Sequence, residues 1–181
     1  QATAGEVEIV EETEASLAFG LRATLAGVGF MPSSAWLGTD LFQVRPDVKT
    51  VQDPYSDREY TAFPALRADV MVIHAPVADH SGNAKVHGNL ALDRELALAS
   101  DKVIITAERV VESLEGPLEL AGVGIDHVVE VPRGAWPTSC YPDYPLDGDE
   151  LLDYVDACTT GQFDTYLERF LERSPGEKEG S

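Results

Sequence analysis

The run Val70-Met71-Val72-Ile73, entered from Asp69 and left at His74, narrows the fold more than any other stretch of the chain. It has the length of one strand and is almost continuously apolar, the pattern of a parallel strand with both faces covered. Ala91 to Ser100 (ALDRELALAS) reads as an alanine- and leucine-rich helix, and Lys102 to Thr106 (KVIIT) as the next strand. Helix followed by strand at this spacing points to βαβ units.

The rest of the chain supplies further elements around that unit. Glu6 to Glu12 (EVEIVEE) alternates charge with Val7, Ile9 and Val10, which predicts a short strand. Thr13 is placed to cap a helix over Glu14 to Ala26, with Leu17, Leu21 and Leu25 as its apolar stripe, and Gly27 and Gly29 end it. Gly38 falls in a turn, and Ser56-Asp57 is predicted to turn a hairpin between VQDPY and REYTAF. Val128 to Val131 gives another short strand. Residues 149–172 read as two amphipathic helices divided near Gly161, with Phe163, Tyr166, Leu167, Phe170 and Leu171 as the buried stripe of the second. The expected organisation is one domain over residues 1–173 and a disordered polar tail over 174–181.

At 181 residues the chain is long enough for one sizeable core. Thirteen basic against 32 acidic residues give a net charge of −19. Such a surface repels phosphate backbones and anionic lipid, so nucleic acid and membrane are not expected partners. No apolar run approaches the roughly 20 residues of a membrane helix. The start, QATAGEVEIVEE, carries no signal-peptide pattern. The two cysteines, Cys140 and Cys158, form no CxxC pair and no disulfide framework. A reducing, cytoplasmic setting is expected. The absence of an initial methionine, with an apolar segment almost at once, suggests a processed or truncated start.

Three of the four histidines fall in VIHAPVADHSGNAKVHG. His74, His80 and His87 lack both the i, i+4 pairing of a helical metal site and the usual zinc spacings, so no shared metal is expected. The segment reads instead as a strand, a turn and a return strand. Asp79 and Asn83 can bond neighbouring amides there, and Gly82 takes positive φ freely. If the strand is parallel, this turn lies at its C-terminal end, where open α/β sheets place ligands. No phosphate loop, dinucleotide fingerprint or nucleophile elbow occurs; AGVGID, around Gly122 and Gly124, precedes a strand rather than linking a strand to a helix. Cys140, in PTSCYPDY, has no evident activating base in the sequence. Among the carboxylates, Glu14 at a helix start and Glu108 just after KVIIT stand where side chains face a cleft. Each can equally be a plain surface charge, for Glu14 one that favours the helix dipole.

Four segments in order, LRATLAGVGFMPSSAWLGTDL, FPALRADVMVIHAPVADHSGNAKVHG, ASDKVIITAERVVE and HVVEVPRGAWPTSCYPDY, resemble the A (alpha) chain of the family I coenzyme A transferases, closest to the glutaconate CoA-transferase type. The resemblance runs from about residue 6 to residue 172. It implies an α/β fold of the CoA-transferase (NagB/RpiA-like) type, an open, largely parallel sheet with helices on both faces and a C-terminal helix pair. It also implies a heteromeric enzyme, with a B-type partner subunit, that moves CoA between an acyl-CoA and a carboxylic acid. In that family a glutamate attacks the thioester, which splits one hard exchange into easier steps. No cofactor is implied beyond the CoA thioester, which is the substrate.

The family's N-terminal glycine-rich part and the Ser-Glu-Asn-Gly-like nucleophile segment of the B-type chain have no counterpart here. The chain is therefore expected to be inactive alone. Glu14 matches the working glutamate of a related branch, the ring-opening hydrolases that act on a steroid-derived CoA thioester. That makes a hydrolase subunit with Glu14 as base the alternative, and a non-catalytic remnant that binds a partner or ligand the third reading. Glu14 is the candidate catalytic residue. Gly38, Thr39, Asp79, Gly82, Asn83 and Glu108 are the candidates for the acyl or CoA pocket.

Overall fold

The computed structural model describes residues 4–88 and 90–172, so the tail expected over 174–181 lies outside the described residues. In chain order the elements are α1 (Glu14–Leu25), β1 (Phe30–Ser33), α2 (Leu41–Val44), β2 (Lys49–Gln52), β3 (Glu59–Pro64), β4 (Ala68–Ala75), β5 (Val77–Asp79), β6 (Ala84–Lys85), α3 (Asp93–Ala99), β7 (Ser100–Ala107), β8 (Val110–Val111), β9 (His127–Glu130), α4 (Gly148–Thr160) and α5 (Phe163–Glu172). The architecture is mixed α/β, with open sheets, parallel pairing and a C-terminal helix pair, as expected. The chain divides into two compact units, Gln1–Met71 with Ala91–Asp101, and Val72–Leu90 with Lys102–Ser181.

In the first unit, β1, β3 and β2 form an antiparallel sheet, and β2 returns into β3 through the hairpin expected at Ser56-Asp57. Thr13 caps α1 through a reciprocal capping box with Ser16. The face that α1 buries is not the leucine stripe. Leu21 is buried, but Leu17 and Leu25 remain 39% and 43% exposed. The buried positions are instead mostly small: Ser16, Ala18, Gly20 and Ala23 join Leu21. The reason is close approach. A Cβ on Gly20 would lie 2.6 Å from Leu66 Cγ, and the Leu66 amide donates to the Gly20 carbonyl at 3.0 Å. A leucine in place of Gly20 would hold the two segments apart.

The strand expected over Glu6–Glu12 does not form. Residues 8–13 run without regular structure, and Val7, Ile9 and Val10 are exposed. Among the described residues no strand pairs with this segment, so its alternation has no ladder to join. Arg45 anchors it instead. Its buried guanidinium donates to the Glu11 carbonyl at 2.9 Å, to the Glu12 carboxylate, and in bidentate fashion to Asp47 at 2.9 and 2.8 Å. The core beside it is aromatic, with Phe19 stacked on Phe63 and Trp36 edge-on to Phe63.

In the second unit, β7 and β9 pair in parallel, as do β5 and β8, while β5 and β6 are antiparallel. Ala75, Ala78, Ala84, Ile105, Ala107 and Leu120 form its buried core. β4 does not have both faces covered. Met71 and Ala75 are buried, but Val70 and Val72 are 53% and 62% exposed. β4 lies at the end of the order β4-β7-β9, so its pleat leaves alternate side chains outside. Gly161, at φ +73°, closes α4 in the left-handed conformation a helix C-cap favours. Of the stripe expected on α5, Tyr166 is buried, and Phe170 stacks on Trp136 at 5.3 Å; Phe163, Leu167 and Leu171 stay exposed. The stripe is wider than the surface the described chain offers to cover it.

Candidate active site

Glu14 is the first residue of α1 and is exposed. Its presentation is built by its neighbours. Thr13 Oγ1 accepts from the Ser16 amide at 3.2 Å and from the Trp36 indole Nε1 at 2.9 Å, so the helix start is fixed from inside the unit and from the loop after β1. Gly38 stands exposed in that loop at φ +76°, a conformation that suits glycine. Thr39, also exposed, turns its hydroxyl back to the Trp36 carbonyl at 2.7 Å. Glu14, Gly38 and Thr39 thus belong to the first unit, and the other four candidates to the second.

Asp79, Gly82 and Asn83 form the turn that the sequence predicts. Asp79 is 2% exposed, and its carboxylate accepts from the amides of Ser81, Asn83 and Leu114 and from Asn83 Nδ2 at 2.9 to 3.0 Å. Burial raises the pKa of this carboxyl, but the four hydrogen bonds outweigh burial and hold it below the ordinary aspartate value. Asn83 Oδ1 in turn accepts from the Gly122 amide at 2.9 Å. Gly82 has φ +85°, and a Cβ there would lie 2.8 Å from Ile125 Cβ. A Cβ on Gly122 would collide with the Ser81 carbonyl. These residues hold one another, and what they expose is shaped backbone rather than free side-chain chemistry.

Glu108 is the centre of a second group. Directly after β7, it is held on Oε1 by His74 Nε2 at 2.7 Å and by the Tyr144 hydroxyl at 2.6 Å, and on Oε2 by the Arg133 amide at 2.6 Å. Burial pushes its pKa up, yet these three donors prevail and keep it below the ordinary glutamate value. His74 Nδ1 lies 2.9 Å from Thr106 Oγ1. An ionised Glu108 only accepts, so Nε2 carries a proton, and in the neutral ring Nδ1 accepts from the threonine hydroxyl. Gly134 presses on this ring, since a Cβ there would lie 2.7 Å from His74 Cε1. Burial and Glu108 together push the Tyr144 phenol far above its ordinary value, which keeps it a donor. Arg133 lies over the Tyr144 ring at 5.0 Å, and both border a cleft of about 450 Å³ that reaches Asp147.

Cys140 completes the group. It is buried, and its backbone pairs with Tyr144 in both directions at 3.1 and 3.0 Å. Its ligand atom and those of His74 and Glu108 all lie within 4.8 Å of one another. His74 is a structural partner of Glu108, and the sequence reading of Cys140 changes, because a histidine and a carboxylate do stand beside it. Burial first, then the charges of Glu108 and Asp143, raise the thiol above its ordinary pKa, so proximity has not made it a ready nucleophile. His80, in the turn, and His87, after β6, are exposed. Tyr144, Arg133 and Thr106 escape a reading by motif, because they reach Glu108 and His74 only across 25 to 36 positions of chain.

The model of the family described as Coenzyme A transferase matches residues 1–130. The chain is 35% identical to the A-type chain of the 3-oxoadipate CoA-transferase of Pseudomonas knackmussii, over 78% of this chain and 51% of that protein. It is 33% identical to the cholesterol ring-cleaving hydrolase IpdA subunit of Rhodococcus jostii, over 88% of this chain and 59% of that protein. The chain therefore spans only about half the length of these curated relatives. Among solved structures, the decarboxylase AibA/AibB superposes with a TM-score of 0.81 at 31% identity, covering 95% of this chain and 64% of its own. Glutaconate coenzyme A-transferase from Acidaminococcus fermentans superposes at 0.73 with 24% identity, over 93% of this chain and 64% of its own, a likeness of fold.

Proposed function

Because the chain belongs to the coenzyme A transferase family, we propose that it is the A-type part of a heteromeric enzyme that moves CoA between an acyl thioester and a free carboxylic acid. The observation that carries this reading is the family match across residues 1–130 together with the 35% identity to the A-type chain of a CoA-transferase. In this reading a B-type chain supplies the attacking glutamate, which is why the A-type chain is inactive by itself. Glu14 lines the active site from the capped start of α1. Gly38 and Thr39, the backbone of the Asp79–Asn83 turn, and Glu108 edge the acyl or CoA pocket. The exchange needs no cofactor beyond CoA, the substrate. The enzyme works in the cytoplasm, a reading that the free thiols of Cys140 and Cys158 support. No helix among the described residues is long and apolar enough to cross a membrane.

The alternative is a hydrolase that opens a ring on a CoA thioester, with Glu14 as the base. What favours it is that the ring-cleaving relative matches more of this chain than the 3-oxoadipate relative does, 88% against 78%. One assay separates the two readings. The chain is co-expressed with a B-type partner and given an acyl-CoA with and without a carboxylic acid acceptor. A transferase forms the new thioester only with the acceptor and only in the complex. A hydrolase consumes its substrate without the acceptor, and Glu14→Gln then abolishes turnover. No complex and no turnover with any B-type partner would overturn both and leave a binding role.

A further inference from the structure

We propose that His74 Nε2, Glu108 Oε1 and Cys140 Sγ form a binding site for a divalent transition metal of the zinc class. The proposal rests on neither functional reading above and assigns the ion no part in CoA exchange. Thiolate, imidazole and carboxylate together are a donor set that suits zinc better than the harder magnesium or calcium. The three side chains are largely buried, at 14%, 8% and 7% exposure for His74, Glu108 and Cys140. Each residue offers one ligand atom within 4.8 Å of those of the other two, and His74 Nε2 and Glu108 Oε1 are 2.7 Å apart. Zinc–ligand bonds of about 2.0–2.3 Å in a tetrahedron put ligand atoms roughly 3.3–3.8 Å apart, so the group closes on an ion with movements of about 1 Å. The fourth position takes a water.

The surroundings of the three donors are those a bound metal uses. A ligating histidine donates its other ring N–H to an outer partner. Thr106 Oγ1, 2.9 Å from Nδ1, is that partner: once Nδ1 carries the proton the threonine oxygen accepts from it, and the hydroxyl turns to the Ile73 carbonyl 3.4 Å away. Glu108 keeps the Arg133 amide on its other oxygen, at 2.6 Å. The proton balance is simple. The proton on His74 Nε2 moves to Nδ1, and the Cys140 thiol proton leaves to solvent. A neutral imidazole, one carboxylate and one thiolate then cancel the charge of the dication. The carboxylates of Glu108 and Asp143 near this sulfur attract a cation, with the Arg109 guanidinium acting against them. The ion ties the loop carrying Cys140 to β4 and to the end of β7.

Cobalt(II) titration of the full-length protein tests this. We expect one ion per chain, with the visible bands of tetrahedral cobalt and a near-ultraviolet thiolate-to-cobalt band. Zinc should displace both sets. Cys140→Ser should remove the thiolate band and weaken binding by more than the roughly 10–100-fold that loss of an outer-shell partner costs. Cys158→Ser, at an exposed thiol, should change neither. Zinc should raise the thermal midpoint of the wild type and not of Cys140→Ser. In weak buffer each ion bound should release about one proton, a readout that needs no variant. No thiolate band, a band that follows Cys158, or binding without proton release overturns the site.

Discussion

Asp79, buried, and Glu108, part-buried, are both carboxylates held below their ordinary pKa by hydrogen bonds, but their donors come from different distances along the chain. Three of the four bonds to Asp79 come from Ser81 and Asn83, within four residues of it; only Leu114 is remote. Each donor to Glu108 is remote, with His74 34 positions away, Arg133 25 and Tyr144 36. The first carboxylate makes a turn that its own segment can begin to form. The second exists as a structured group only once β4, β7 and the segment 131–144 have come together. Local chemistry thus shapes the turn, while tertiary folding assembles the cluster.

Substitutions can break this contrast. Asp79→Ala should be the most damaging, because it leaves several buried donors without a partner at once. We expect a loss of about 3 kcal/mol in urea unfolding, at the upper end of ordinary single substitutions. If Glu108→Ala costs more, the turn is not the tighter of the two. Gly82→Ala should follow at about 2 kcal/mol, because it adds a left-handed non-glycine residue and a clash with Ile125.

Glu108→Gln keeps the shape of the cluster but loses its charge, for about 1–2 kcal/mol at neutral pH. Its sign with pH is fixed. A carboxyl with a depressed folded pKa contributes stability that is complete above the ordinary glutamate value of 4.5 and is lost as pH falls through the lower folded value. The gap between wild type and Glu108→Gln should therefore be flat above about pH 5 and close on further acidification. A gap that does not close would mean that hydrogen-bond geometry, not charge, carries the effect. The smallest change is expected for Tyr144→Phe, which removes one hydroxyl between Glu108 and the Ala135 amide and should cost about 1 kcal/mol. Tyrosinate absorption should show that phenol ionising well above the ordinary tyrosine value, a step that disappears in the variant.

The same contrast explains what could be read from the residues alone. Thr13, Gly161 and the Ser56-Asp57 hairpin announce themselves locally, and so do Asp79, Gly82 and Asn83. Apolar pattern misleads where burial depends on a neighbour. Leu17 and Leu25 have the spacing of a core stripe, but close contact at Gly20 selects the small-residue face of α1. Val70 and Val72 suggest a strand covered on both sides, yet β4 ends its sheet. At the candidate site, the positions of Glu14 and Glu108 beside their elements are legible. The grouping of His74, Cys140 and Tyr144 around Glu108 leaves no periodic trace, because their spacing is set by the fold.

The indole of Trp36 donates to Thr13, one residue before Glu14, and the indole of Trp136 donates to Asp147 at the cap of α4. They are the chain's two tryptophans, and one lies in each compact unit. The protein thus carries its own pair of optical reporters. With Trp136 replaced by Phe, the remaining emission follows the helix start that presents Glu14. With Trp36 replaced, it follows the unit that holds Glu108. Comparing the two melting curves shows whether the candidate catalytic carboxylate can loosen while the buried cluster stays intact.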